Sequence, residues 1–218
     1  MPNPPPFAVE HRLTGWRLAW CRLDLLPCDE ARIAAMRRAA AERCRAERSL
    51  ETLSSHPTVA GVRRLFRDAG TDPTRYRPSS EALIRRLLKG DELPAIHPFV
   101  DLNNALSVAL AVPACVMAEG SFAPPVVLRR GEPGERYDSL RGDFDLAGKP
   151  LLADPAGPFG TPITDSQRVA VGPSVAAAWL VAYLPTGVVE AANFERKMTA
   201  TLSIAPLAQA SEIFLSGD

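Results

Sequence analysis

The sequence predicts an α+β fold, because its helical patterns come first and its short strand-like runs come later. As far as Gly90, most apolar residues recur at the three- and four-residue spacing of amphipathic helices. Beyond that point, short apolar runs alternate with Pro, Gly and Asp, as is typical of short strands. A chain of 218 residues, 46% hydrophobic and 23% charged, can bury a substantial core. We predict one domain over residues 1–218.

The chain begins with a predicted arm and a predicted strand. Four of the first six residues are proline, so residues 1–12 are expected to form a flexible N-terminal arm. Leu13–Leu26 alternates apolar and polar residues around Trp16, Leu18 and Trp20, which predicts a strand.

Three helices are predicted next. Asp29 is a suitable N-cap for a helix that continues to about Arg48. A second helix fits Thr58–Asp68, with Gly70 as its C-terminal stop. The third helix follows directly in the sequence RPSSEALIRRLLKG and ends at its glycine.

Ser79 or Ser80 is the predicted cap of this third helix. The later strand-like runs lead to a closing helix at Val188–Ile204 and a tail after Pro206. These runs are PACVMAEG, PPVVLRRG, RYDSLRGDFDL, KPLLADPAG, QRVAVGP and AAAWLVAYLP.

The segment VDLNN concentrates polar groups beside apolar sequence. Asp101 follows Phe99 and Val100, so its carboxylate is predicted to be buried and to need partners. Asn103 or Asn104 either caps a following helix or lines a pocket for a small polar or anionic ligand.

A second polar cluster occupies Gly157–Arg168, where Gly160 and nearby prolines precede Asp165 and Ser166. It is either a turn that enters a strand or a loop that closes over the same pocket. Ser166 has no histidine near it in sequence, which argues against an activated nucleophile.

The charge is uneven although the net charge is zero. Residues 1–90 hold 17 Lys and Arg against 10 Asp and Glu, and residues 91–218 hold 8 against 15. The basic half indicates a polyanion-binding face, ion pairing between the halves, or an Arg-rich coding bias. Arg77, Arg85 and Arg86 are candidate phosphate contacts, with solvated helix arginines as the alternative.

Several classes of protein are disfavoured. The chain has no Gly-rich phosphate loop, HExxH or GxSxG motif, and its three histidines lack metal-ligand spacing. Four cysteines without a CxxC pair predict reduced, mostly buried thiols. We therefore expect no cofactor and no metal. The N-terminus lacks a signal-like pattern and no apolar run reaches about 18 residues, which predicts a cytoplasmic protein without membrane contact.

Three segments together resemble a known family. They are similar to the B3/B4 domain of the bacterial phenylalanyl-tRNA synthetase β subunit and, more closely, to its free-standing homologues. The similarity covers residues 58–183, and it implies a three-layered α+β domain with an unusual β-sandwich and flanking helices. In the synthetase this domain hydrolyses tyrosine wrongly attached to the phenylalanine tRNA. The three segments are RPSSEALIRRLLKG, LPAIHPFVDLNNALSVALAVP and ADPAGPFGTPITDSQRVAV.

The resemblance also carries over site residues. The family's VDxTNY segment falls on Val100–Ala105, so its Thr-Asn pair matches Asn103 and Asn104. Its QPxHAFD segment falls on Val112–Ala118, which replaces the editing histidine by Cys115 and the aspartate by Ala118.

Two further positions follow from the resemblance. The family's pocket glutamate falls among apolar residues near Leu180, and neither Glu119 nor Glu190 is in register with it. The DSxR pattern of the free-standing relatives is present as Asp165, Ser166 and Arg168.

The resemblance implies a free-standing editing-type protein that hydrolyses mischarged aminoacyl-tRNA in trans. The alternatives are a non-catalytic module that binds RNA or an amino acid, and a conventional small-molecule enzyme. The partner would be the aminoacylated 3′ end of a tRNA, with no DNA expected. The implied catalytic residues are Asn103, Asn104 and Ser166. The implied substrate-binding residues are Asp101, Cys115, Gly160, Asp165 and Arg168. The implied RNA-binding residues are Arg77, Arg85 and Arg86.

Overall fold

The structure is a computed structural model that describes residues 3–217. Its helices are α1 (Glu30–Glu47), α2 (Pro57–Asp68), α3 (Ser79–Leu88), α4 (Pro98–Leu110) and α5 (Ala191–Ile204). Its strands are β1 (Val9–His11), β2 (Trp16–Leu25), β3 (Ala114–Ala118), β4 (Val126–Arg130), β5 (Arg136–Ser139), β6 (Gly142–Asp145), β7 (Pro150–Asp154), β8 (Gly157–Gly160), β9 (Ala177–Pro185), β10 (Ala208–Ala210) and β11 (Phe214–Ser216).

Two long apolar strands form the centre of the main sheet. β2 and β9 pair antiparallel from Trp16 opposite Pro185 to Asp24 opposite Ala177. β3 pairs with the other edge of β9, and β10 and β11 pair with β2. β9 is buried along nearly its whole length, as expected for a strand that is covered on both faces.

A second sheet runs in the order β1-β4-β7-β8, and β5 and β6 form a separate hairpin. Side chains of both larger sheets belong to one hydrophobic cluster, and Phe122, from the loop before β4, stacks on Phe159 of this cluster at 5.3 Å between ring centroids. α2 and α4 contact the main sheet, and α4 also contacts α1, α3 and α5. This arrangement confirms the α+β class. The single-domain organisation stays a prediction.

The N-terminal segment is more structured than its proline content suggests. β1 pairs parallel with β4, with Val9 opposite Val126. Phe7 makes edge-to-face contacts with Trp20 and Trp179 at 5.2 and 5.0 Å. The prediction of a flexible arm over residues 1–12 is therefore wrong for residues 7–12, because an aromatic anchor and a strand edge hold them.

Two helix starts differ from the sequence prediction. Pro78, and neither Ser79 nor Ser80, is the N-cap of α3, and no side chain accepts a hydrogen bond there. α4 begins at Pro98, which has its ring at the first helical position, where no backbone N–H is needed. Its N-cap is His97, whose Nδ1 accepts from the backbone N–H of Phe99.

The early start of α4 decides between the two interpretations of its asparagines. Asn103 and Asn104 lie inside the helix, so the helix-capping interpretation is wrong. Other ends are confirmed: Asp29 caps α1, and Gly70 takes φ +88° after α2. The tail after Pro206 is not a plain tail, since it contributes β10 and β11. No helix in residues 3–217 combines the length and apolar character that crossing a bilayer requires.

Candidate functional site

A cavity of about 530 Å³ lies between α3, α4, β3 and the segment 161–171. This volume falls in the range of small-ligand sites, roughly 300–1,000 Å³. Most of the lining is apolar, and Leu83, Ile96, Val100, Val116 and Ile163 contribute to it. Nine of the twenty lining residues are polar or charged, and these side chains would fix the orientation of a bound ligand.

Helix α4 brings both asparagines to the cavity. Val100, Asn103, Asn104 and Ser107 share one helix face at three- and four-residue spacing, and all four line the cavity. The Nδ2 of Asn103 donates to the carbonyl of Ala114 at 3.2 Å, which fixes the amide against β3. Its Oδ1 is buried and has no hydrogen-bond partner among residues 3–217.

Asp165 reaches the same cavity from the loop after β8. The residue as a whole is partly exposed, but its Oδ1 is buried and meets no hydrogen-bond geometry with residues 3–217. Burial raises the pKa of this carboxyl to about 7, and the nearby Cys115 thiol and Thr161 backbone N–H offset the burial only in part. Asp165 therefore exchanges a proton near neutral pH.

A polar cluster surrounds Gly160, next to Asp165. A carbon added at Gly160 would lie 3.5 Å from Oδ1 of Asp165, 3.8 Å from Sγ of Cys115 and 3.8 Å from the hydroxyl of Tyr183. The Tyr183 hydroxyl is buried without a hydrogen-bond partner in the described chain, whereas that of Tyr137 donates to the carbonyl of Thr164. Burial raises the pKa of the Cys115 thiol well above its usual range, so the thiol stays protonated.

The raised pKa of Asp165 predicts a pH-dependent stability difference. The unfolded chain ionises this carboxyl above its ordinary value of 3.8, whereas the folded chain keeps the proton until pH reaches about 7. Stability is therefore lost as pH rises through this window, by up to about 4 kcal/mol. Asp165→Asn cannot ionise and lacks this loss. In urea unfolding from pH 4 to pH 8, the free energy of unfolding of the variant relative to wild type should therefore rise with pH until about pH 7. A pH-independent difference would contradict the assignment.

Two exposed arginines border the mouth of the cavity, together with the exposed apolar side chains of Ile96 and Leu140. Arg86 and Arg141 both line it. The guanidinium of Arg86 lies 3.6 Å from Asp91, and both side chains are more than half exposed, so this pair is weak. Arg141 has no ion-pair partner among residues 3–217. Sequence reasoning missed Arg141, whose position in the tight β5–β6 turn was the only available signal.

Asp101 is not at the cavity. Its Oδ2 accepts from Nη1 of Arg37 at 2.5 Å, and its Oδ1 accepts from the backbone N–H of Ile96 at 3.0 Å. The side chain is 3% exposed. The expected burial and partnering are thus present, but they hold α4 against α1. A substrate-binding role for Asp101 is not supported.

Ser166 and Arg168 are also used inside the fold. The hydroxyl of Ser166 accepts from the backbone N–H of Arg168 at 3.2 Å and caps a short 3₁₀ turn, Gln167–Val169. The guanidinium of Arg168 holds both carboxylate oxygens of Asp154 at 3.0 Å. Neither residue lines the cavity, so a catalytic Ser166 and a substrate-binding Arg168 are not supported. Cys115 and Gly160 lie beside Asp165 without lining the cavity themselves.

Two of the three candidate RNA contacts, Arg77 and Arg85, pair with one buried carboxylate, that of Glu81. Glu81 is fully buried in α3 and accepts from Arg63 and Arg85 at 2.9 Å. The guanidinium of Arg77 lies 3.7 Å from the same carboxylate. Of the three candidates, Arg86 alone borders the cavity. In addition, residues 3–217 contain no group of three or more His, Cys, Asp or Glu arranged to hold a metal ion.

Charge pairing between the two halves of the chain accounts for part of the basic excess. Each of five arginines from the first half contacts an acidic residue of the second half, and this favours the interpretation of internal ion pairing. The pairs are Arg17 with Glu190, Arg22 with Glu119, Arg37 with Asp101, Arg45 with Glu92, and Arg86 with Asp91.

Comparison with known proteins gives a family match. The family model described as the B3/4 domain matches residues 61–214. Among solved structures, the chain is similar to an N-terminal fragment of the phenylalanyl-tRNA synthetase β subunit from Pyrococcus horikoshii, with 12% identity and a TM-score of 0.48. That similarity covers 100% of this chain and 56% of the fragment, so the chain spans little more than half of its length. No curated protein matches the chain.

Proposed function

Since the chain belongs to the B3/4 domain family, we propose that its cavity receives the aminoacylated 3′ end of a tRNA. There the protein hydrolyses the ester of a mischarged aminoacyl-tRNA in trans. The observation that carries the proposal is the composition of the cavity lining. Apolar side chains make up most of it, the α4 asparagines and Asp165 add polar groups, and two exposed arginines border it.

Each part of the cavity suits one part of this substrate. The apolar lining suits an amino-acid side chain, and a nucleotide phosphate would contact Arg86 and Arg141 at the mouth. Contacts with phosphates are independent of sequence, so tRNA binding should weaken steeply with salt. A cytoplasmic location, where aminoacyl-tRNAs are used, fits the proposal.

Hydrolysis would need little chemistry from the protein because the ester is already activated. Water adds to the ester carbonyl, and negative charge develops on its oxygen. The Asn104 side-chain amide is the donor on the α4 wall that could stabilise this charge. The C–O bond then breaks, and the proton from water ends on the terminal hydroxyl of the tRNA. The products are a free amino acid and a deacylated tRNA.

A non-catalytic binding module is the second candidate. It is favoured by the state of Cys115, which stands where the family has its editing histidine. A fully buried thiol whose pKa is raised by burial cannot replace imidazole as a base. Leu180, near the position of the family's glutamate, is fully buried in the apolar core.

The test is deacylation of a panel of mischarged tRNAs by wild type, Asn104→Ala and the control Asn193→Ala, which lies on α5 away from the cavity. We expect turnover on at least one substrate and a loss of about 10²-fold in Asn104→Ala, by analogy with the removal of one oxyanion donor. Asn193→Ala should match wild type. Saturable, salt-sensitive tRNA binding without turnover on any substrate would select the binding module. Absence of both would refute both candidates.

A further inference from the structure

Two large apolar side chains are exposed at the mouth of the cavity. Ile96 is 64% exposed and Leu140 is 60% exposed, and both line the cavity. Among residues 3–217, the other large hydrophobic side chains left exposed are Leu26 at 40% and Val188 at 38%, and neither lines the cavity. Single exposed apolar side chains are normal on a protein surface, whereas apolar side chains grouped around a cavity mark a binding surface. The mouth is therefore a candidate contact surface for a ligand.

The backbone restrains both of these side chains. Ile96 lies in the connection between α3 and α4, where Pro94 and Pro98 restrict the backbone on either side of it. Leu140 lies in the tight turn between β5 and β6, and its backbone N–H donates to the carbonyl of Asp165 at 3.2 Å. The two side chains thus reach the mouth from different parts of the fold. A ligand that covers them would need little reordering of the chain, which favours binding.

Positive charge accompanies this apolar surface. Arg141 follows Leu140 directly in the turn, Arg86 lines the same cavity, and both arginines are exposed. A purely apolar ligand would leave the two arginines unused, and a free phosphate would leave Ile96 and Leu140 uncovered. A nucleotide uses both, because its base has apolar faces and its phosphate is negative. Proteins that bind single-stranded nucleic acid combine basic side chains for the phosphates with platforms for the base faces.

We infer that Ile96 and Leu140 bind the face of the nucleobase that carries the aminoacylated sugar, and we call these two side chains the base platform. The inference rests on the proposed function, in which the aminoacyl group enters the cavity and its nucleotide stays at the mouth. It adds the requirement that a base is attached to the sugar. Apolar contacts to the face of a base do not read its hydrogen-bonding edges, so the platform does not distinguish adenine from cytosine.

The size of the effect follows from the apolar area that a base would cover. Covering about 80 Å² of apolar side chain, at about 25 cal/mol per Å², corresponds to roughly 30-fold in affinity. Serine at positions 96 and 140 removes most of this apolar area and leaves Arg86 and Arg141 in place. Because Ile96 and Leu140 are exposed, the substitutions remove little core packing, and stability should change little.

The experiment compares a hydrolysis-resistant 3′-aminoacylamino-3′-deoxyadenosine with its cytidine counterpart and with the same aminoacylated sugar without a base. Affinities are measured by calorimetry for wild type, the double variant Ile96→Ser/Leu140→Ser and the control Leu26→Ser/Val188→Ser, which changes the exposed apolar residues away from the cavity. Wild type and control should bind the two nucleosides within about threefold of each other and the baseless sugar about 30-fold more weakly. The double variant should bind the nucleosides and the baseless sugar within about threefold of one another, and the baseless sugar as wild type does. Thermal unfolding confirms that both variants are folded.

The possible results distinguish the base platform from the proposed function. If the baseless sugar binds wild type as tightly as the nucleosides, or if the double variant keeps the full dependence on the base, the base platform is wrong and the proposed function stands. If the substitutions leave analogue binding unchanged but convert a dimer into a monomer in sedimentation, the two side chains instead join two copies of this chain. If no analogue binds wild type, the proposed function and the inference both fail.

Discussion

Replacing Glu81 by alanine is expected to lower the free energy of unfolding by about 3–5 kcal/mol, the cost of breaking a buried ion pair. The carboxylate is fully buried, and Arg63 and Arg85 both donate to it at 2.9 Å. Arg77 adds a third positive charge at 3.7 Å. Without the carboxylate, these guanidinium groups face one another without a counter-charge. Urea unfolding at neutral pH measures the loss.

A matched surface pair provides the control for Glu81. Glu92 accepts from Arg45 at 2.8 Å, but its side chain is 63% exposed. Exposed pairs contribute about 0–1 kcal/mol, so Glu92→Ala should be close to neutral. The Arg63–Glu81 contact joins α2 to α3. Equal losses of stability in Glu81→Ala and Glu92→Ala would show that this buried contact does not stabilise the packing of the two helices.

Asp101→Ala is expected to have an effect of similar size, about 3–5 kcal/mol, because it leaves the Arg37 guanidinium without its buried partner. It also removes the acceptor for the backbone N–H of Ile96. A double-mutant cycle tests this pair. Its second variant is Arg37→Met, which keeps the side-chain volume and removes the positive charge. The double variant should recover at least about 1.5 kcal/mol of the summed losses, since neither charge is then left alone.

Ligand binding distinguishes this structural role of Asp101 from a role at the site. Asp101 does not line the cavity. The affinity for an aminoacyl-adenosine analogue is therefore measured on the folded fraction of Asp101→Ala. It should stay within about threefold of wild type, whereas the loss of a binding contact worth about 1.4 kcal/mol would weaken it about tenfold. A large loss of affinity at unchanged foldedness would return Asp101 to the substrate-binding residues.

Local patterns predicted the bounds of most helices well, apart from the start of α4, but they did not predict which residues each helix contacts. The apolar spacing and the Asp29 cap placed α1 within a residue or two of its ends. The same pattern assigned the arginines of α1 to solvent, yet Arg37 is largely buried against Asp101, 64 residues later. A contact at that separation depends on how α1 and α4 meet, which no spacing within either helix contains.

For the site residues too, the sequence indicated which side chains are unusual but not which of them meet at the cavity. Asn103, Asn104 and Asp165 stood out as polar residues beside apolar runs, and the structure brings all three to one cavity. Ser166 had the same sequence signal and serves as a cap instead. The Tyr183 hydroxyl gave no signal, because a tyrosine in an apolar strand looks like core. Its lack of a partner depends on the packing of β9 against β3 and β8.

A crystal structure of the protein with a 3′-aminoacylamino-3′-deoxyadenosine tests the central claim most directly. We expect the aminoacyl group inside the cavity, with its carbonyl oxygen within about 3 Å of the side-chain amide of Asn104, the normal hydrogen-bond range. The adenosine should lie toward Arg86 and Arg141 at the mouth. An analogue bound elsewhere on the protein, or bound in the cavity with its carbonyl directed away from Asn104, would contradict the proposed function.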